Sequence, residues 1–204
     1  MDIMDRPIPS GQKLTYEEFL ARCDERNAAE WVDGEVIYLT VSEQHDDIGG
    51  FLYSILRFWA ERNGSGRVYQ EPFQMKTGPD LPGRAPDVFY LKTEHFDRKR
   101  RLHLEGPADL VIEVISPDSI GRDRGEKFVE YEAGGVQEYW IIDPLRKQAD
   151  FYLRAEDGYY HAAPVNSNGL YHSTVLQGLW VDVAWFWSDP LPSLMSVLKA
   201  WALV

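Results

Sequence analysis

The clearest feature in the pattern of hydrophobic and polar positions is a set of three short apolar runs between residues 84 and 144. They occupy residues 87–91 (DVFYL), 109–115 (DLVIEVI) and 136–142 (VQEYWII), and proline or glycine lies beside each run. Each run is rich in β-branched or aromatic residues and is too short for an independent helix. The pattern therefore predicts three strands.

Two helices and a hairpin are predicted before these strands. Thr15 and Glu18 have the spacing of a capping box, which predicts a short helix at residues 16–23. The Asp-Gly pair at residues 33–34 lies between two apolar runs and predicts a tight hairpin turn. Ser42 is suited to cap a second helix, because apolar residues then recur at spacings of four, three and four: Ile48, Leu52, Ile55 and Trp59.

Further elements are predicted around and after the three runs. Residues 123–133 have helical character, and Lys127 and Tyr131, four residues apart, share one face of that helix. A short helix is expected from about Ser193. Additional strands are predicted at residues 68–71, 148–153 and 159–163.

The chain is expected to form one domain over residues 1–204, because 204 residues fit a single core and no internal repeat or linker interrupts them. Residues 1–13 lack periodicity and are predicted to form an extended arm. Residues 180–204 are rich in tryptophan and are expected to pack on the core or at a subunit interface. So many large apolar side chains in one short segment predict a homodimer.

The composition is that of an ordinary globular protein, with 44% hydrophobic and 26% charged residues. No apolar run approaches the length of a membrane span, and the N-terminus lacks the basic and apolar regions of a signal peptide. The single cysteine, Cys23, excludes an intramolecular disulfide and agrees with a reducing compartment. We therefore expect a cytoplasmic protein with no membrane association.

The formal net charge of -12 disfavours an extended basic surface of the kind that binds duplex nucleic acid. A local basic cluster at residues 98–101 (RKRR) nevertheless follows the first of the three runs by a few residues. Two interpretations of this cluster remain open. It is either a basic rim beside an acidic site or a solvated loop.

Two of the predicted strands carry a carboxylate. Asp87 opens the first run, and Glu113 lies inside the second run between apolar neighbours. A carboxylate in such a setting loses hydration that only a cation or strong hydrogen-bond donors replace. Two carboxylates on neighbouring strands suffice as the protein share of an Mg²⁺ or Mn²⁺ site. In the structural alternative, Asp87 caps a strand end and Glu113 pairs with an arginine.

Several short motifs follow one another in a fixed order along the chain. They are residues 30–35 (EWVDGE), 42–45 (SEQH), 86–87 (PD) and 113–116 (EVIS), then Asp123, Lys127, Tyr131, Gly134 and Val136, then residues 139–140 (YW) and 143–144 (DP). The ordered set resembles the Uma-type family of restriction-like endonucleases, a branch of the PD-(D/E)XK nuclease superfamily. This resemblance implies an α/β (α+β) fold with a restriction-endonuclease-like core, in which helices flank a mixed central β-sheet.

The resemblance also implies a metal-dependent endonuclease that acts on DNA, with Asp87 and Glu113 as catalytic residues that bind Mg²⁺ or Mn²⁺. The superfamily places a lysine two residues after the second acid, where this chain has Ile115. The family pattern implies that Lys127, on the following helix, replaces it and orients the water or offsets its charge. Alternatively, Lys127 is a surface partner of Asp123, four residues earlier.

Four further residues are candidates for the site. His45 is a candidate to contact phosphate or to bind the metal through its imidazole, and Glu30 resembles an acid that the superfamily often contributes from its first helical region. Arg84 and Ser116 flank the two acids and are candidates for phosphate binding. Each of these residues has a structural alternative, as a satisfied buried side chain or as a turn or capping group.

Two other functions remain open. One is a binding or regulatory module that keeps the nuclease fold but has lost catalysis, as the displaced lysine and the acidic surface would allow. The other is a metal-dependent hydrolase of a small phosphorylated substrate, which fits a net charge of -12 better than duplex DNA does.

Overall fold

Residues 13–22, 29–39, 42–117 and 119–204 are described by the structure, which is a computed structural model. The described ranges contain the α-helices α1 (Tyr16–Arg22), α2 (Glu43–Asn63), α3 (Lys127–Gly134) and α4 (Leu194–Ala200), and shorter helical turns at Thr93–Arg98, Arg122–Glu126 and Val183–Trp187. None of the helices in these ranges is long and apolar enough to cross a membrane. Cys23 and nearly all of the predicted arm at residues 1–13 lie outside the described residues.

The strands of the described residues form three sheets. In chain order they are β1 (Ala29–Val32), β2 (Glu35–Tyr38), β3 (Gly66–Gln70), β4 (Gln74–Lys76), β5 (Gly83–Arg84), β6 (Val88–Lys92), β7 (His103–Glu105), β8 (Leu110–Val114), β9 (Glu138–Asp143), β10 (Gln148–Arg154), β11 (Tyr160–Ala162), β12 (Leu170–His172) and β13 (Trp180–Asp182).

The three organising runs become β6, β8 and β9, which lie side by side in a six-stranded sheet with the order β11-β10-β9-β8-β6-β3. Strands β8 and β9 are parallel, and every other neighbouring pair in this sheet is antiparallel. The register places Ile112 opposite Val88 on one side and opposite Trp140 on the other. This mixed sheet with flanking helices confirms the predicted fold class.

Alternate residues of the central strands face opposite sides of the large sheet. Ile112 and Val114 belong to the core that includes α2, whereas Val111 belongs to the core that includes Tyr131 of α3. Glu113 is two residues from Val111 and therefore points towards α3. All residues of β8 are buried, which explains why this strand has a nearly continuous apolar sequence.

The capping box and the hairpin form as predicted. The amide of Thr15 donates to Glu18 Oε2 at 2.9 Å, and the amide of Glu18 donates to Thr15 Oγ1 at 3.1 Å. Strands β1 and β2 are joined by Asp33 and Gly34, whose φ values are 49° and 90°. A tight hairpin turn requires these left-handed conformations, which explains the Asp-Gly sequence.

The predicted second helix begins after Ser42, as expected. Ser42 Oγ accepts a hydrogen bond from the amide of His45 at 3.3 Å, and Gly64, with φ of 59°, ends the helix. Its buried face contains the predicted apolar residues, with Ile48, Leu52 and Ile55 fully buried and Trp59 partly buried. The cap fixes the first turn of α2 and therefore the position of His45.

A second sheet of five strands, with the order β2-β1-β5-β4-β7, lies beside α1. Glu30 is on β1 and Arg84 is on β5, and both side chains are buried. A buried charge is stable only when it is paired or hydrogen-bonded. The small sheet therefore contributes charged groups that must be paired in the interior.

The tryptophan-rich residues 180–204 pack against α2 of the same chain. The ring of Trp201 lies 5.0 Å from that of Trp59, and the ring of Trp185 lies 6.4 Å from that of Phe51. These contacts place the tryptophans on the core. The homodimer stays a prediction. Exposed tryptophan side chains are no longer a strong argument for it, because these side chains pack against α2.

Glu138 of β9 ties the segment after β12 to the central sheet. Its buried carboxylate accepts hydrogen bonds from the side chains of Trp140 and Tyr171 on one oxygen. The other oxygen accepts from the hydroxyl of Ser173, from the amide of Val175, and from the amide and hydroxyl of Thr174. These donors replace the water that the carboxylate loses on burial.

We expect Glu138→Gln to destabilise the protein by about 2–4 kcal/mol, because an amide nitrogen would then face hydrogen-bond donors. Urea unfolding of both proteins measures the difference. Glu156→Gln makes the same chemical change at an exposed loop position and should cost less than about 0.5 kcal/mol. Equal, small losses in the two variants would contradict the anchoring role of Glu138.

Candidate functional site

A small cleft lies at the end of the large sheet, where β8 ends and β6 begins. The side chains that line it come from distant parts of the chain and include His45, Glu71, Asp87, Glu113 and Lys127. The antiparallel register that pairs Gln70 with Val88 places Glu71 beside Asp87. The volume of the cleft is about 20 Å³, which is roughly the space that one water molecule or one metal ion needs.

Asp87 is held in place by groups from two different elements. Its Oδ2 accepts a hydrogen bond from the amide of Val114 at 2.6 Å and lies 3.0 Å from Nε2 of His45. The amide of Val114 lies beyond the last pair that β6 forms with β8, so Asp87 satisfies it at the strand end. Asp87 therefore has the predicted capping role, and it also faces the cleft.

His45 is buried in the first turn of α2 and reaches Asp87 through Nε2. Burial alone would lower the pKa of His45, but the hydrogen bond to Asp87 and the negative charge of Asp87 raise it above its ordinary value. The other ring nitrogen, Nδ1, is buried and has no hydrogen-bond partner among the described residues. His45 is therefore a fixed part of the cleft whose hydrogen-bonding capacity is only partly used.

Glu71 is a member of the cleft that the sequence analysis missed. Burial, reinforced by the charge of Asp87, raises the pKa of Glu71 to about 6. One ligand atom from each of His45, Glu71 and Asp87 lies within 4.8 Å of the other two. These three residues therefore have the spacing of a metal site.

Glu113 points from β8 towards α3, because it lies two residues after Val111 and faces the same side of the sheet. Its Oε2 accepts a hydrogen bond from Lys127 Nζ at 2.9 Å, and its Oε1 accepts from the hydroxyl of Tyr131 at 2.7 Å. Burial raises the pKa of Glu113 well above its ordinary value, against the opposing charge of Lys127. The alternative in which Glu113 pairs with an arginine is wrong, because the cation that pairs with Glu113 is Lys127.

Lys127 is buried at the start of α3, with 3% of its side chain exposed. Its ammonium lies 2.9 Å from Glu113 Oε2, 3.0 Å from Glu30 Oε1 and 3.1 Å from Asp123 Oδ1. Burial would lower the pKa of Lys127, but these carboxylates raise it well above its ordinary value. Lys127 does pair with Asp123, but the alternative of a surface pair is wrong.

Arg84 and Glu30 lie behind the cleft and not in it. The guanidinium of Arg84, with 1% of its side chain exposed, donates to Glu30 at 3.0 Å and to both oxygens of Glu130 at 2.7 and 2.8 Å. Burial would raise the pKa of Glu30, but the charges of Lys127 and Arg84 lower it. The predicted phosphate-binding role of Arg84 is not supported, because its donors are already directed at carboxylates in the interior.

Ser116 lines the cleft after the end of β8. Its amide donates to Ser119 Oγ at 2.9 Å, which closes a tight turn. The side chain of Ser116 is mostly buried and faces the cleft. The structure therefore places Ser116 close to the acids, as predicted.

The basic cluster at residues 98–101 lies away from the cleft. Asp87 lies just before β6, and the cluster lies beyond the other end of this strand. The length of β6, about 17 Å at roughly 3.3 Å per residue, therefore separates them. Arg100 also pairs with Glu105 at 2.6 Å. A basic rim beside the acids is therefore not formed by this cluster.

The sequence profile of the Uma2 family, described as "Putative restriction endonuclease", matches residues 16–184. The chain belongs to the Uma2 family. A crystal structure described as "a putative nuclease belonging to DUF820" from Anabaena variabilis ATCC 29413 has a TM-score of 0.69 and 18% sequence identity to it, over 85% of this chain and 97% of that chain. At this identity, the likeness shows a shared fold. No curated protein matches the chain.

In this Uma2 domain, most residues singled out from the sequence lie in or directly behind one cleft. Asp87, Glu113, Lys127, His45 and Ser116 line the cleft, whereas Glu30 and Arg84 support it from the small sheet. The missed residue, Glu71, had only a weak signal, since it ends a predicted strand before a proline.

We expect Arg84→Met to destabilise the domain by about 3–5 kcal/mol, because it removes the buried cation that Glu30 and Glu130 share. Urea unfolding at neutral pH measures the loss. Arg57→Met is the matched control, since Arg57 pairs with Glu61 at 2.7 Å but its side chain is 55% exposed, and it should lose far less stability than Arg84→Met. A similar small loss in both variants would show that Arg84 does not support the site.

Proposed function

We propose that this Uma2 domain is a metal-dependent endonuclease that hydrolyses phosphodiester bonds of DNA. The observation that carries the proposal is the convergence of His45, Glu71 and Asp87 beside the ion pair of Glu113 and Lys127. Family membership supports a nuclease-like function. Phosphodiester hydrolysis needs a site for a cation, a positioned water and a positive charge near the phosphate.

The residues of the cleft fit a divalent cation. Asp87 and Glu71 offer the hard oxygen ligands that Mg²⁺ and Mn²⁺ prefer, and His45 offers an imidazole nitrogen. The cleft is lined by four carboxylates and two permanent cations, so the ionised acids leave an excess of two negative charges. Burial is the main reason why the pKa values of Glu71 and Glu113 are raised, and the negative charge of Asp87 raises both further.

In this proposal, Asp87, Glu71 and His45 would hold the ion, and Glu113 would contribute its carboxylate from the floor of the cleft. When bound, such an ion polarises a phosphate oxygen and lowers the pKa of water. The amide of Val114 and the ring of His45 orient the carboxylate of Asp87 for this task. Fixed ligands cost no reorganisation when the reaction takes place.

Lys127 supplies the positive charge that the superfamily lysine would supply. Three carboxylates hold its ammonium in one position, so the charge is preorganised against the negative charge that develops on the phosphate. A protonated lysine has no free electron pair and cannot bind a metal ion. Lys127 therefore acts in catalysis as a charge-stabilising group and not as a ligand.

A second candidate function is hydrolysis of a small phosphorylated substrate by the same cleft. Two observations favour it: the net charge of -12 and the position of the basic cluster, away from the acids. Retention on DNA that falls steeply with salt separates the two functions, since only a polyanionic substrate releases many counterions on binding.

We also expect the protein to be a homodimer and to be cytoplasmic. A homodimer would give two cleavage sites for the two strands of a duplex. A cytoplasmic location would give the enzyme access to DNA. Both are kept as predictions.

We expect Asp87→Asn and Glu71→Gln each to weaken Mn²⁺ binding by at least about 10-fold, since each removes one charged ligand. Nicking of supercoiled plasmid with Mg²⁺ or Mn²⁺ should be lost in Asp87→Asn. Calorimetric titration with Mn²⁺ and gel analysis of the plasmid measure the two effects.

Asp109→Asn is a closely matched control for Asp87→Asn. Asp109 is buried at the other end of the same strands, where it also accepts from a backbone amide, that of Lys92, and contacts a histidine, His95. This variant should bind Mn²⁺ and nick plasmid like the wild type. Unchanged Mn²⁺ affinity in both Asp87→Asn and Glu71→Gln would refute the proposed metal site.

We expect Lys127→Ala to reduce cleavage by about two to three orders of magnitude, because it removes a preorganised charge. Its Mn²⁺ affinity should stay within a few-fold of the wild type, since Lys127 is not a ligand. Lys127→Arg should restore little activity, because a planar guanidinium places its charge elsewhere. Cleavage rates are compared per folded protein, with the folded fraction measured by circular dichroism.

Tyr131→Phe is the control for Lys127→Ala, because it removes the other hydrogen bond to Glu113 without changing the charge. It should cut within about 10-fold of the wild type. Full activity in folded Lys127→Ala would rule out the mechanism proposed for this lysine.

A further inference from the structure

Arg122 lies in the cleft, and its guanidinium is poorly paired with the residues that the structure describes. Its Nε is 3.7 Å from Glu30 Oε2, which is beyond hydrogen-bonding distance. The same Nε is buried and has no hydrogen-bond partner among the described residues. The nearby Arg124, by contrast, lies 2.6 Å from Asp150. Among the described residues, Arg122 is therefore a cleft cation whose guanidinium is partly exposed and only weakly paired.

The charge of Arg122 is not required to neutralise Glu30. Arg84 already donates to Glu30 at 3.0 Å, and Lys127 lies 3.0 Å from its other oxygen. A third cation at 3.7 Å adds a weak ion pair. Removing Arg122 would therefore leave Glu30 with two cationic partners.

A widened helical turn presents Arg122 to the cleft. The amide of Lys127 donates to the carbonyl oxygen of Arg122, five residues earlier, which is the hydrogen bond of a π-helical turn. Within this turn Asp123 is buried, whereas the side chain of Arg122 is 21% exposed. Single π-helical turns occur frequently at functional sites. Here the turn places one arginine at the opening of the cleft and the next acid inside it.

Two groups of cleft residues, which come from different parts of the chain, differ in chemistry. His45, Glu71 and Asp87 have the spacing of a cation site. The segment that follows β8 contributes Arg122 and Ser116, whose guanidinium and hydroxyl are hydrogen-bond donors. A planar guanidinium donates two parallel hydrogen bonds to phosphate oxygens. A phosphodiester at the opening of the cleft would therefore meet both a cation site and hydrogen-bond donors.

We propose that Arg122 binds a non-bridging oxygen of the substrate phosphodiester, a role for which Arg84 was one of the candidates from the sequence. This inference rests on the proposed function and adds a substrate-binding residue to it. It also supplies a positive charge at the cleft of a protein whose net charge is -12. The basic cluster at residues 98–101 lies beyond the far end of β6, which is too distant from the cleft to supply that charge.

The test compares Arg122→Gln and Arg122→Lys with the wild type. Binding of a fluorescently labelled DNA duplex is measured by anisotropy in Ca²⁺ at several salt concentrations, and the same samples are checked for cleavage on a gel. Arg122→Gln should bind about 10-fold to 100-fold more weakly. Its plot of log affinity against log salt should also become shallower by about 0.9, the value for one phosphate contact. Arg122→Lys should keep the salt slope and lose only part of the affinity.

Controls separate this binding role from a structural one. Arg101→Gln removes the same charge from an exposed position in the distant basic cluster and should keep the wild-type affinity and salt slope. Arg122→Gln should keep the Mn²⁺ affinity, and its Tm should shift by no more than about 3 °C. Wild-type DNA affinity and salt slope in Arg122→Gln would overturn the inference.

Failure of the proposed function gives a different result. If the wild type does not bind DNA under any of these conditions, the DNA endonuclease is overturned. Arg122 is then tested with inorganic phosphate by ³¹P line broadening in the presence of Ca²⁺. Weaker phosphate binding by Arg122→Gln supports the anion site, and equal binding by the two proteins overturns it.

Discussion

The buried ammonium of Lys127 must be paired with carboxylates, and much of the fold is arranged around this requirement. Glu113 comes from the large sheet, Glu30 from the small sheet and Asp123 from the turn before α3, and all three lie within 3.1 Å of Nζ. A buried charge without partners is strongly unfavourable. The native arrangement therefore brings two sheets and a helix to one point, and that point is the floor of the cleft.

Arg84 extends this cluster from the small sheet to the next turn of α3. It joins Glu30 to Glu130, so the helix that carries Lys127 is held by a second buried cation. Buried ion clusters contribute little net stability, and apolar residues of similar volume often replace them without loss. Such a replacement here would remove the fixed charge beside Asp87. The cluster is therefore better explained by the orientation of Lys127 than by stability alone.

Part of the negative charge of the protein is concentrated at the cleft. Four carboxylates line a space of about 20 Å³, where their mutual repulsion favours either protonation or a bound cation. A phosphate approaching these carboxylates would be repelled unless positive charge separates the two. In the proposed function a divalent ion and Lys127 provide that charge, and Arg122 would add to it at the opening of the cleft.

The sequence by itself determined the elements whose signals are local. Ser42 caps α2 through the amide of His45, and Asp33 with Gly34 forms the hairpin, because these interactions join residues at most three apart. The apolar runs determined the central strands in the same way, and the family motifs pointed to Asp87, Glu113 and Lys127. Only the tertiary structure decided which charges meet. Glu71 lies beside Asp87 through the register of β3 and β6, whereas Arg84, three residues before Asp87, points into the interior towards Glu30 and Glu130. Strand pairing and burial bring together groups that are far apart in the chain. The spacing of residues along the sequence does not show which of these groups will meet.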